Sequence, residues 1–296
     1  MNDAKSKSKS KKLKPPKEFV EFIKTWKTLR NYLTNFEDIE NVIQDLENEY
    51  QLGINASCYA FSPNLVIKPA IEIDRFGETL HGPVYTCEKY EWPMESGYPM
   101  VPLIQLDLAN CSVLGGEKLG DGLLQVFMGH GKYMSSDSLV RIIPRNQVSA
   151  DKLSPIPIFD ETIKTFQDID WAFDLNKPTS AIQIEGYSSP TFCMHYMVEL
   201  QNVVNAEDLI SIEVSFEEIK RFNESLKVCL SKFQMDGSHL FGTFSPIQYQ
   251  ASERGKPLFC FEEEDGFNFG MGNGQIFFEK GKRSKSMIFS FDWSCF

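Results

Sequence analysis

Apolar residues recur at helical spacing near the start of the chain. Phe19, Phe22, Ile23, Trp26, Leu29 and Leu33 form one stripe and, after a break at Thr34-Asn35, Phe36, Ile39, Ile43, Leu46 and Tyr50 form another. The spacing predicts a helical pair over residues 18–50, with its aromatic stripe packed on the body of the protein. From Gly53 the pattern becomes strand-like, at residues 56–61 and 66–73. Loop-rich sequence then runs through Gly77, His81-Gly82-Pro83 and Trp92-Pro93.

The stretch from Trp92 to Gly129 organises the rest. Residues 102–108 alternate in apolar character, and residues 122–129 are an apolar run bounded by glycines, so both read as strands around an acidic, Gly-rich connector. The pattern returns near the C-terminus. Pro257-Leu258-Phe259-Cys260-Phe261-Glu262 opens it, residues 263–273 connect, and Gly274-Gln275-Ile276-Phe277-Phe278 leads the closing strand. Each copy has Pro-Leu, an acid ending a short strand, a turn region and a Gly-led apolar strand, as an internal duplication would leave.

Between and after the copies, strands are expected at 138–143, 181–186, 191–197 and 209–214, and Pro144, Pro155 and Pro157 mark an irregular connection. A helix capped by Asp160 is expected to run to about residue 173. Ser215-Phe216-Glu217-Glu218 has the form of a capping box and starts the clearest helix, whose stripe is Phe216, Ile219, Phe222, Leu226, Cys229, Leu230 and Phe233. Phe289, Phe291 and Trp293 alternate with polar residues in a final half-buried strand.

The chain has 296 residues, 42% hydrophobic and 24% charged, an ordinary globular composition long enough for one large body. Its net charge of -11 understates the acidity. Residues 1–17 carry seven Lys and one Asp, so the remainder holds 23 basic and 40 acidic residues, a net of -17. That field disfavours nucleic acid and suits a basic partner, besides promoting solubility. Residues 1–17 alternate Lys with Ser and read as a disordered tail. No apolar signal region follows the lysines and no run spans a bilayer, so a cytoplasmic protein is expected. Seven cysteines without a CxxC pair suit reduced thiols, with Cys229 and Cys260 as buried small hydrophobes.

An ordered set of pieces resembles the YwqG-like family of bacterial proteins. Gly82-Pro83, Trp92-Pro93, Gly97-Tyr98-Pro99, the strand from Pro102 to Asp107 and Gly122-Leu123-Leu124-Gln125-Val126-Phe127 stand in the family's order. Phe241-Gly242, Pro246-Ile247-Gln248, the strand from Pro257 to Glu262 and Gly272-Asn273-Gly274-Gln275-Ile276-Phe277-Phe278 look like its C-terminal half. Together they cover most of residues 53–296. The glycine-rich entry is reduced here to His81-Gly82-Pro83, and Asn273 stands where the family often has Asp, so a role assigned to that acid does not transfer. The resemblance implies an α+β fold of two related antiparallel β-sheet units with flanking helices, and no established activity. Because family members occur near secreted polymorphic toxins in bacteria, it also implies an immunity role.

No cofactor is expected. None of the histidine pairs among His81, His130, His195 and His239 has zinc-helix spacing. Cys193 and His195 share a strand face as two metal ligands would, but two more ligands have no local source, and a packed cysteine beside a surface histidine is the simpler reading. No phosphate-loop pattern occurs. Glu262, Glu263, Glu264 and Asp265 place four carboxylates together without the alternating oxygens of a calcium loop. Besides a solvated acidic turn, they are the expected partner-binding residues, facing a basic protein, which the family resemblance makes a toxin domain, in a non-enzymatic binding role. The competing expectations are an enzyme that gathers Gln105, Asp107, His130, His195 and Gln248, and a small-ligand sensor using a cleft between the copies.

Overall fold

A computed structural model of the chain describes residues 14–33, 58–95, 97–129, 138–157, 181–193, 216–233, 237–242, 255–262, 273–281 and 286–294. Among them the fold is α+β, with two six-stranded antiparallel sheets. In the first sheet the strand order is β2 (Pro63–Lys68), β9 (Ala181–Tyr187), β3 (Glu78–Leu80), β6 (Val101–Asp107), β7 (Gly122–Met128) and β8 (Ser138–Pro144). In the second it is β10 (Thr191–Cys193), β1 (Cys58–Phe61), β11 (His239–Phe241), β12 (Lys256–Phe261), β13 (Asn273–Lys280) and β14 (Met287–Ser294). β4 (Met94–Glu95) and β5 (Tyr98–Pro99) pair separately.

Among the described residues the chain crosses between the sheets at Ser62, from β1 to β2, and at residues 188–190, from β9 to β10. The crossings are bonded to each other, Ser188 N donating to Ser62 O at 2.9 Å and Ser62 N to Ser188 Oγ at 3.1 Å. One core is shared. Leu80, Ile104, Leu106, Leu124 and Val126 of the first sheet pack in the same cluster as Leu240, Phe259, Phe261, Ile276 and Phe278 of the second. Each fully buried phenylalanine contributes about 2–3 kcal/mol to folding through removal of its ring from water.

The two sheets are similar position by position. Pro102 opposes Phe127 and Pro257 opposes Phe277, each pair followed by a one-residue register shift, at Leu103 and at Leu258. Beyond the shift Gln105 faces Gln125, and Cys260 faces Gln275. Thr79 and His239 stand opposite those two positions on the neighbouring strands. The paired glutamines correct the alignment of the sequence copies: Gly274 corresponds to Leu124, not to Gly122, because strand pairing, not the leading glycine, sets the register.

α1 (Lys17–Leu33) and α3 (Phe216–Phe233) pack on each other, although about 200 residues apart, through Phe22 and Trp26 around Phe222 (both ring separations 5.7 Å). Thr25 Oγ1 and Ser225 Oγ lie 2.7 Å apart on the same seam. The pair joins the second sheet where Phe19 and Phe233 flank Phe192 of β10, at 4.9 and 5.2 Å.

Three expectations change. The strand over 66–73 starts earlier and stops at Lys68, because Pro69 has no amide to donate, and residues 70–72 form a 3-10 turn. Residues read as loop contain β3, a three-residue strand at the middle of the first sheet. The connector after β6 contains α2 (Leu108–Gly115), which Asp107 caps at its start and Gly116, with φ 68°, closes. The second member of the N-terminal pair, the helix from Asp160, the strand at 209–214, residues 194–197 and the tail before residue 14 lie outside the described residues. No helix among the described residues is long and apolar enough to cross a membrane.

Candidate functional site

Polar side chains are built into both faces of the first sheet. Gln183, Thr79, Gln105, Gln125 and Arg141 stand directly opposite one another across β9, β3, β6, β7 and β8, so they share one face. This row binds the backbone of the covering segment. Gln105 Oε1 accepts from Tyr85 N at 2.9 Å, and its Nε2 donates to Arg75 O at 3.0 Å and Gly77 O at 2.6 Å. Gln125 Nε2 donates to Tyr85 O and to Gln105 Oε1, at 2.7 and 2.6 Å. Gln183 accepts from Asp74 N and donates to Glu78 O, both at 2.8 Å.

Two guanidinium groups complete that layer without a carboxylate partner among the described residues. Arg75 donates at 2.8 Å each to Val84 O, Ser154 O and Thr86 Oγ1. Arg141 lies over the Phe127 ring at 4.9 Å and donates to Gln125 Oε1 at 2.8 Å and Glu91 O at 2.6 Å, while its Nη2 is buried without a hydrogen-bond partner among the described residues. Burial lowers the pKa of both, that of Arg141 to about 10, so each remains a cation at neutral pH.

On the core side, a carboxyl sits where an apolar residue is expected. Glu78 shares its face with Leu80 and stands opposite Ile184, both members of the core. Its Oε1 accepts from Asp107 N at 3.0 Å and from the Cys111 thiol at 3.8 Å, and its Oε2 accepts from Asn110 Nδ2 at 3.2 Å. Desolvation raises the pKa of Glu78. Burial, with Glu78 close by, also pushes the Cys111 thiol and the Tyr187 hydroxyl well above their ordinary values. The Tyr187 hydroxyl is buried beside the Glu78 carboxyl.

The second sheet performs the same local task with a smaller group. Ser238 occupies the place of Glu78, and its Oγ accepts the Glu262 amide at 3.0 Å, as Glu78 accepts that of Asp107. Holding a strand-end amide therefore needs only a hydroxyl. The buried carboxyl, with a thiol and a phenol beside it, exceeds that requirement.

No family model matches the chain, and no curated protein matches it.

The residues singled out in the sequence divide into three groups. Gln105 and Asp107, two residues apart, are on the same face of β6, and both are engaged: Asp107 accepts Ala109 N at 2.9 Å as the cap of α2 and pairs with Arg145 Nη2 at 2.5 Å. Glu262 is half-buried at the end of β12, the place of Asp107 in the other sheet. His130, His195, Gln248, Glu263, Glu264 and Asp265 lie outside the described residues. Cys87, Cys111, Cys193, Cys229 and Cys260 are buried and form no disulfide among the described residues. Among the described residues no three His, Cys, Asp or Glu side chains are grouped to hold a metal ion. Glu78 and Tyr187 escape a sequence reading because Glu-Thr-Leu and Gly-Tyr-Ser resemble ordinary surface turns.

Proposed function

We propose that the protein is a non-enzymatic binding protein whose acidic surface receives a basic protein partner. The observation that carries this reading is the net charge of -17 outside the first 17 residues, a field that raises the encounter rate with a basic surface. Glu262, Glu263, Glu264 and Asp265 are the proposed contact residues. The structural engagement of Gln105 and Asp107 supports it further, since these two of the five candidates for a catalytic role hold backbone in place. The YwqG-like resemblance supplies the kind of partner, a toxin domain neutralised in the cytoplasm.

Affinity capture of the tagged chain from its native cells, at moderate and high salt, tests the reading. One stoichiometric basic partner, released by salt, is the expected result. Replacing residues 262–265 by Lys should slow its association by about tenfold at low salt and flatten the salt dependence. An unchanged rate would remove those residues from the interface.

One observation favours a second reading, a small-ligand sensor or an enzyme with its site between the two sheets. Glu78, Cys111 and Tyr187 lie in or beside the shared core, and the equivalent position in the second sheet is a serine. A metabolite that raises the melting temperature without being turned over would select the sensor; turnover would select the enzyme.

A further inference from the structure

We infer that the outer edge of β2 is a docking site for an extended segment of a basic, apolar-alternating polypeptide, which adds to the first sheet as a seventh strand. The inference takes the basic character of the partner from the reading above, but its place is independent of residues 262–265.

Of the four sheet edges, β8 and β14 approach each other, and β10 meets α3 and the aromatic side chains of both helices. Among the described residues β2 pairs with β9 alone. The outward amides and carbonyls of residues 64–68 have no hydrogen-bond partner among the described residues, which leaves them as a template for a further strand. The side chains fit that role. Ile67 stands in register with Ile182, Leu80, Ile104, Val126 and Val140, a row that is buried or partly buried at every other member, yet Ile67 is 72% exposed. Its side chain occupies a core-facing position for which the second sheet supplies no cover. Ile71, just beyond the strand, is 88% exposed. A strand laid along β2 would bury both and extend the shared core.

Charge sets the character of that strand. Lys68 is neutralised by its ion pair with Glu185 on the neighbouring strand, while Glu72 and Asp74 are exposed beside Ile71 without an ion-pair partner among the described residues. The edge thus offers apolar contacts flanked by negative charge. Alternating Val and Lys, with one face apolar and the other cationic, matches it; an acidic strand is repelled.

The test uses a fluorescent peptide of about ten residues alternating Val and Lys, its Val/Glu counterpart, and a block peptide with the same Val and Lys content but no alternation. Binding is read by anisotropy, and amide exchange of residues 63–68 by hydrogen exchange. Saturable binding of the Val/Lys peptide, slowing β2 exchange about tenfold, is expected. The Ile67→Lys/Ile71→Lys variant should weaken binding by about tenfold or more while unfolding at the same temperature, since both side chains are exposed. Equal binding of the block peptide, unchanged β2 exchange, or full binding by the variant would overturn the site. Slow β2 exchange without peptide would also overturn it: assignment would pass to a second copy if the protection depends on concentration, or to residues 1–13 if their removal abolishes it. Residues 262–265 replaced by Lys keep this binding if only the acidic-connector reading fails.

Discussion

His81 and Phe241 occupy the same place in the two sheets and are the two described residues other than glycine with left-handed φ, at 49° and 57°. His81 follows β3, Phe241 is the last residue of β11, and each precedes a glycine, so the chain turns off both sheets by the same backbone geometry. Such a φ costs a non-glycine residue about 1–2 kcal/mol, held here by burial of both side chains. Phe241→Ala should therefore lose about 3–5 kcal/mol for the missing ring, and Phe241→Gly about 1 kcal/mol less than that. Urea unfolding of the two variants decides it; alanine the more stable of the two would mean that the left-handed turn is not adopted.

Phe241 also links the second sheet to α2 of the first. A Cβ on Gly115 would fall 2.3 Å from Phe241 Cζ. Alanine normally stabilises a helix relative to glycine by about 1 kcal/mol, but Gly115→Ala should destabilise by about 1–3 kcal/mol. Combined with Phe241→Leu, the cost should shrink, giving a coupling above about 0.5 kcal/mol in a double-mutant cycle. Additive effects would place the ring elsewhere.

Legibility in the sequence followed the size of the periodic signal. Phe216 to Phe233 and Phe289-Phe291-Trp293 announce a helix and a strand because each buries one face, and the Pro-Leu strands announce the central pairing of both sheets. β3 did not, since two of its three residues are polar and its apolar neighbours lie on other strands. α2 is nearly uniform around its axis, so only its caps, Asp107 and Gly116, carried information. Pro69 was a legible stop within the strand expected at 66–73. The packing of α1 on α3 and the Glu78 cluster depend on contacts across more than 30 residues, for which no local pattern exists.

The glutamine row yields a stability prediction that separates structural from catalytic use of Gln105. Gln105→Leu removes the acceptor of Tyr85 N and the donor to two carbonyls in a buried layer. Each buried group left without a partner costs about 1–3 kcal/mol, so a loss of several kcal/mol is expected, with faster hydrogen exchange across residues 74–86. Wild-type stability in the variant would free Gln105 for a role at a site.

Glu78 predicts a pH dependence with a definite sign. Its folded pKa is raised above the reference value of 4.5, so the protonated carboxyl is the form that favours folding. The stability it contributes is fully present below about pH 4.5 and declines as pH rises through the folded pKa, at no more than about 1.4 kcal/mol per pH unit. Glu78→Gln keeps an acceptor for Asp107 N but cannot ionise. Wild type and variant should therefore lie closest at low pH and diverge above pH 4.5, with the variant gaining, when urea unfolding is followed from pH 4 to pH 8. Carboxylates remote from Glu78 contribute equally to both curves and cancel in the difference. Parallel curves would mean that Glu78 titrates as an exposed acid, and the carboxyl would then lie outside the core that the two sheets share.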